Sequence, residues 1–195
     1  MKRVAVFASG NGSNFNSIVE GEDESYQVAL LFSDQPQSYA LTRAIDIGVK
    51  SESLSPKDYP DKLAYEADLL ALLIRNHIDF IVLAGYMRLI GPTILKYYKD
   101  KIVNIHPSLL PEFPGLNAIG QALDAGVRET GVTIHYVDEG MDTGPIIKQE
   151  KVLIEKADTY ESLQKKVQKV EHRLYPETLK ELLRKDEVVA EASVN

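Results

Sequence analysis

The strongest constraint on the fold lies at the N-terminus, where an apolar run at residues 4–8 passes without a linker into Ser9-Gly10-Asn11-Gly12-Ser13-Asn14. An uninterrupted apolar run of this length reads as a strand buried on both faces, and the glycine-bearing polar stretch behind it forces a tight turn. Residues 14–20 then read as a short helix that Gly21 stops. Strand, tight turn and helix form the opening unit of a parallel sheet, because a crossover helix lets the next strand run the same way.

The unit repeats. Residues 28–32 predict a second strand, 38–47 a helix with Gly48 at its C-cap, and 49–53 a short third strand. Residues 58–76 carry Leu63, Leu69, Leu70, Leu72 and Leu73 at a spacing that suits one long helix. Residues 81–83 and 102–106 predict a fourth and fifth strand, and 117–125 a further short helix. The pattern then changes. Two strand-like runs at 130–137 and 145–154, joined by a glycine-containing loop at 138–144, predict an antiparallel ribbon. Asp158 is expected to open the last helix with Glu161 as its capping-box partner. Leu163, Val167, Val170 and Leu174 give that helix one apolar face before Pro176 breaks or kinks it, and a frayed tail is expected from Val188. The predicted fold is a single α/β domain, Rossmann-like, with a doubly wound and mostly parallel sheet, a C-terminal antiparallel ribbon and a long last helix. Within it, a first half is expected over about residues 1–100, a second half over about 101–187, and the tail over 188–195.

Composition narrows the function classes. The chain of 195 residues has 22 Lys+Arg against 29 Asp+Glu, a net charge of −7, which argues against a nucleic-acid partner. With Cys at 0, a disulfide framework, a thiolate metal site and a cysteine nucleophile are excluded. Apolar runs such as residues 80–84 are too short to cross a bilayer, and the first apolar run is too short for a secretory signal. The expectation is a soluble cytoplasmic protein acting on small molecules, as a monomer or homodimer.

Ligands of open α/β sheets bind beyond the carboxyl ends of the strands, where residues 10–14 fall. Backbone N–H groups at the start of the following helix suit an anion, and Ser13 and Asn14 add side-chain donors. Phe15 stands where the dinucleotide fingerprint needs its third glycine, and no Walker Gly-Lys-Ser/Thr ending is present. A ligand with one phosphate is therefore favoured over a dinucleotide or nucleoside triphosphate. A turn that binds nothing is the plain alternative.

Asn104 and His106 stand two apart on the fifth strand and so share a face, just before Pro107-Ser108-Leu109-Leu110-Pro111. Two polar side chains on an apolar strand are costly unless they are bonded or used, and their place at a ligand-binding edge favours use. Asp142 lies in the glycine-containing loop 138–144. A carboxylate beside His106 would favour the imidazolium, and Asn104, His106 and Asp142 together would suit acyl transfer through a tetrahedral intermediate with no covalent enzyme adduct. Sequence alone does not bring Asp142 to His106.

The chain resembles the folate-dependent phosphoribosylglycinamide formyltransferases. The likeness is carried by residues 8–14, by Leu83-Ala84-Gly85-Tyr86-Met87-Arg88, by Asn104-Ile105-His106-Pro107-Ser108-Leu109-Leu110-Pro111 with Phe113-Pro114-Gly115, by the loop 138–145, and by Glu171-His172-Arg173-Leu174-Tyr175-Pro176. The resemblance implies formyl transfer from 10-formyltetrahydrofolate to the amine of glycinamide ribonucleotide, without a metal. It implies that Gly12, Ser13 and Asn14 hold the phosphate, that Glu171 meets the ribose hydroxyls, and that Met87, Arg88, Leu89 and Ile90 border the pterin pocket. Lys62 would contact the carboxylate end of the folate. Asn104 would bind the formyl oxygen, His106 would donate a proton, and Asp142 would keep His106 protonated. Residues 117–119, Asn-Ala-Ile, lack the histidines that some relatives carry there, so no chemistry is assigned to them.

Rivals stay in view. A formyltetrahydrofolate hydrolase would use water in place of the amine and is expected to need an additional N-terminal domain. A methionyl-tRNA formyltransferase would need a basic RNA-binding domain, which the length and charge of −7 disfavour. A nucleotide-sensing Rossmann module would use residues 10–14 but leave Asn104, His106 and Asp142 unexplained. His135 is expected to be a hydrogen-bonded structural residue, and His77 and His172 surface or capping residues. Asp138, Glu139 and Asp142 are read as a loop cluster, not a metal site.

Overall fold

The computed structural model describes residues 1–192, and side chains through Arg184. Seven strands form one sheet: β1 (Lys2–Phe7), β2 (Tyr26–Ser33), β3 (Ser51–Ser53), β4 (Phe80–Leu83), β5 (Ile102–His106), β6 (Glu129–Tyr136) and β7 (Ile146–Leu153). Their order is β3-β2-β1-β4-β5-β6-β7. The first five run parallel, while β6 pairs antiparallel with β5 and β7 with β6. The predicted antiparallel ribbon is present as β6 and β7, and it forms the far edge of the sheet.

Side chains of β1 alternate between two cores. Val4 and Val6 pack with Phe15, Ile18, Ala40, Ala44, Leu174 and Tyr175, from α1 (Ser13–Glu20), α2 (Tyr39–Asp46) and the last helix, α6 (Tyr160–Ala192). Ala5 and Phe7 face the other way, against Leu69, Leu72, Leu73 and Ile94 of α3 (Lys62–Arg75) and α4 (Pro92–Tyr97). Helices on both faces make the doubly wound arrangement that the apolar runs predict. The chain reverses its direction of growth between β1 and β4, so a crevice opens at their carboxyl ends. Among the described residues, no helix is long and apolar enough to cross a membrane.

Several boundaries differ from expectation, each for a local reason. The helix expected over 58–76 begins only at Lys62. Residues Pro56–Asp58 form a 3₁₀ turn, and Asp61 caps α3 by accepting the Ala64 N–H at 2.8 Å. Ile47 is the C-cap of α2, and Gly48 follows it at φ 75°. The last helix opens on Thr159 and Ser162 instead of Asp158 and Glu161. The Thr159 N–H donates to Ser162 Oγ at 2.9 Å and the Ser162 N–H to Thr159 Oγ1 at 3.3 Å. Pro176 does not end α6, which continues to Ala192. Its ring packs where Gly21 has no side chain, since a Cβ on Gly21 would come 2.5 Å from Pro176 Cβ. The tail expected from Val188 is helical to Ala192, and its remainder, 193–195, lies outside the described residues. Helix α4 was not expected. Its N-terminus is capped from another element, by the buried Glu66 of α3, which accepts the Thr93 N–H at 3.3 Å. The short helix after β5 is α5 (Ala118–Asp124).

Candidate active site

The crevice is a cleft of about 530 Å³ lined by loops after β1, β4, β5 and β6, with one wall from α6. Its loops are tied to one another. Ser9 Oγ donates to Asp34 Oδ1 at 2.6 Å and accepts the Met87 N–H at 2.9 Å, so one hydroxyl joins the loops after β1, β2 and β4. Asp34 is thereby a buried anchor for the loops.

At one end of the cleft lie Gly12, Ser13 and Asn14. Gly12 has φ 76°, and a Cβ there would fall 2.7 Å from Ala40 Cβ, so both conformation and space require glycine. Asn14 Nδ2 donates to Glu171 Oε2 at 3.2 Å, which joins the start of α1 to α6. Glu171 is only 7% exposed. Burial pushes its carboxyl up to about 7, against the smaller opposing pull of the Asn14 hydrogen bond.

At the other end, β5 places Asn104 and His106 on one face at its last turn of pleat, as their spacing requires. His106 Nε2 donates to the Phe113 carbonyl at 2.8 Å. A carbonyl only accepts, so this bond fixes a proton on Nε2 and turns Nδ1 toward Asp142, whose Oδ2 is 3.4 Å away. Asp142, at φ 56°, is held by the Gly115 N–H, which donates to the same Oδ2 at 2.8 Å. Burial pushes the Asp142 carboxyl up, but His135 beside it, the Gly115 N–H and the nearby His106 outweigh burial and hold it below its ordinary value. The carboxylate thus stays ionised and faces a ring nitrogen across a gap looser than a formed hydrogen bond. An oxygen arriving there would meet the imidazole and the carboxylate together.

The pairing of β5 with β6 adds a residue that was expected to be structural. Asn104 stands opposite His135 in the register, and Asn104 Nδ2 lies 3.2 Å from His135 Nε2 and 3.5 Å from Asp142 Oδ1. His135 Nδ1 donates to the Tyr136 carbonyl at 2.8 Å, and Nε2 is 3.6 Å from Asp142 Oδ1. His135 is hydrogen-bonded, as expected, but beyond the Tyr136 carbonyl its neighbours are two of the three proposed catalytic groups. No local signal marks it, since the contact depends on the β5–β6 register.

Met87, Arg88, Leu89 and Ile90 line the middle of the cleft. Lys62 does not. It borders an adjoining groove of about 270 Å³ that shares Tyr86, Arg88, Leu89 and Ile90 with the main cleft, and its Nζ donates to the Leu89 carbonyl at 3.4 Å. His77 is exposed at φ 53°, whereas His172 is half-buried with Nε2 enclosed and unpartnered.

Residues 2–179 match the family described as Formyl transferase. A phosphoribosylglycinamide formyltransferase of Bacillus subtilis is 50% identical over 186 residues, 94% of this chain and 95% of the relative. The crystal structure of glycinamide ribonucleotide transformylase 1 from Geobacillus kaustophilus superposes with a TM-score of 0.91 at 56% identity, covering 94% of this chain and 99% of that one. The trifunctional purine biosynthetic protein adenosine-3 of Drosophila melanogaster is 42% identical across 91% of this chain, which spans 14% of that longer protein.

Proposed function

The chain belongs to the formyl transferase family, and we propose that Asn104, His106 and Asp142 carry out its chemistry, with 10-formyltetrahydrofolate as donor. It is a phosphoribosylglycinamide formyltransferase in function, transferring a formyl group to the amine of glycinamide ribonucleotide in de novo purine biosynthesis. The observation that carries the site assignment is the His106–Asp142 pair, 3.4 Å apart in a cleft that the glycine-bearing loop also lines.

In this reading Gly12, Ser13 and Asn14 take the phosphate, and Glu171 accepts hydrogen bonds from the ribose hydroxyls. The ribonucleotide amine then points toward His106. The pterin lies against Met87, Arg88, Leu89 and Ile90, and Lys62 waits in the adjoining groove for the anionic tail of the folate. The free amine attacks the formyl carbon, and the carbonyl electrons move onto oxygen. His106 stabilises that oxyanion, and Asn104 gives up its long contact with Asp142 to donate to it. The oxyanion electrons then re-form the carbonyl as the bond from carbon to the folate nitrogen breaks with its electron pair on nitrogen. A proton arrives there by way of His106, balanced by the proton that the attacking amine loses. Both substrates are small molecules, and the enzyme works in the cytoplasm.

The test is a spectrophotometric assay of folate deformylation, with and without glycinamide ribonucleotide. Turnover that requires the ribonucleotide supports the transferase. Turnover without it would make the protein a hydrolase, and none in either case would leave a binding module.

A further inference from the structure

We infer that Arg43, which lies outside the cleft lining, is a positioning residue for the phosphate end of the ribonucleotide, acting through Asn11. The inference rests on the reading of residues 10–14 as the phosphate loop. Arg43 stands on α2, the helix that packs behind that loop. Its Nε donates to the Asn11 carbonyl at 2.7 Å and its Nη2 to Asn11 Oδ1 at 2.9 Å. A rigid guanidinium fork thereby grips one residue twice, which fixes both its backbone and its side chain. Asn11 stands exposed between Gly10 and Gly12, two residues without side chains to pack. The rest of the α2 contact completes the mould: the Ala40 N–H donates to the Gly10 carbonyl at 3.1 Å, and a Cβ on Gly12 would lie 3.5 Å from Arg43 Cδ.

Charge makes the same point independently. The loop offers the cleft Ser9, Asn11, Ser13 and Asn14, all neutral, and among the described residues lining the cleft the cation is Arg88, on the loop after β4. A phosphate dianion at residues 10–14 would meet backbone N–H groups and no cation in contact. Arg43 supplies the positive charge from behind. Among the described residues its guanidinium has no carboxylate partner, and it lies 4.9 Å over the Tyr39 ring. Its field extends across the seam with α6, where it joins burial in lowering the His172 pKa against the pull of Glu20.

The variants are Arg43→Met and Arg43→Lys, assayed for both substrates, with inorganic phosphate as a competitor of the ribonucleotide. Arg43→Met should raise the ribonucleotide KM and the phosphate Ki about tenfold, with the formyl-donor KM held within about twofold. Arg43→Lys keeps the charge but not the fork, and its ribonucleotide KM should fall between the two. It also serves if the methionine variant does not fold. A ribonucleotide KM and phosphate Ki unchanged in either folded variant would overturn the inference, as would equal losses for both substrates, which mark a merely structural residue. Wild-type enzyme in which phosphate does not compete with the ribonucleotide would overturn the loop assignment itself. That result is distinct, because it appears before any substitution is made.

Discussion

The backbone N–H of Gly115 donates to Asp142 Oδ2 across 2.8 Å, and that same oxygen faces His106 Nδ1 at 3.4 Å. The loop after β5 and the loop after β6 are therefore clamped together at one carboxylate oxygen. The geometry of the proposed catalytic pair depends on two chain segments that the β5–β6 pairing brings side by side and this hydrogen bond joins. Phe113, two residues before Gly115, uses its carbonyl to set the His106 ring. One short segment thus orients both members of the pair.

His106→Ala removes the group proposed to meet the oxyanion while leaving residues 10–14 and Glu171 untouched. Measured at saturating substrates, kcat should fall about 10²- to 10⁴-fold, with a small change in the ribonucleotide KM. An unchanged kcat would refute the role.

Asp142→Asn keeps an oxygen for the Gly115 N–H but removes the negative charge facing His106. The acid limb of the pH–rate profile, read as protonation of the Asp142 carboxylate, should move in the variant, and an unmoved limb would refute the role of that charge. Stability gives a second readout with a definite sign. The folded carboxyl lies below its ordinary value, so its contribution is present above the unfolded value and is lost as pH falls through the lower, folded one. Wild type should therefore lose stability relative to Asp142→Asn in acid, below the ordinary carboxyl value of 3.8.

How much of this was legible in the sequence depends on whether the cause was local. Strand β5 falls at residues 102–106 as expected, because its apolar run and its polar pair are adjacent in the chain. The turn between β1 and α1 was legible for the same reason. Helix α4 was not, since its cap is Glu66, a residue of α3 that arrives through the fold. Nor was the course of α6 past Pro176, which needs the space left by Gly21. The approach of Asp142 and His135 to His106 and Asn104 depends on the β5–β6 register and on the irregularity between Ile134 and His135 where β7 pairs. A one-residue slip there would turn His135 to the other face. Lys62, assigned by resemblance, is the first residue of α3 and sits in the neighbouring groove.

Gly12→Ala tests the loop where it is most constrained. The new Cβ would meet Ala40 at 2.7 Å and adopt φ 76°, which side-chain-bearing residues rarely do. The protein should lose about 1–3 kcal/mol in denaturant unfolding, and the ribonucleotide KM should rise more than the formyl-donor KM. Equal KM values for wild type and variant would show that the loop is not the acceptor site.

Tyr175→Phe separates stability from chemistry. The fully buried hydroxyl donates to the Leu83 carbonyl at 2.9 Å and lies 3.3 Å from the Val103 carbonyl, tying α6 to the last residue of β4 and to the start of β5. Its loss should cost about 1–2 kcal/mol by unfolding, with kcat close to wild type. A large loss of kcat without loss of stability would mean that α6 acts on the site more directly than these bonds suggest.

Glu171 supplies the pH test for the acceptor end. Its carboxyl, pushed up to about 7 by burial, is shared between protonated and ionised forms near neutrality. The ionised form is the one able to accept from both ribose hydroxyls, so the ribonucleotide KM should fall as pH rises through about 7. The substrate phosphate also titrates in this region, and Glu171→Gln is the control: it shares the phosphate contribution and should show a flatter profile. Stability in the absence of substrate should run the opposite way. The folded protein holds a proton that the unfolded chain releases, so the contribution is full below the ordinary value of 4.5 and is lost as pH rises through about 7. Glu171→Gln should abolish that loss. If wild type and variant share one KM profile and one stability profile, Glu171 neither titrates in the cleft nor meets the ribose.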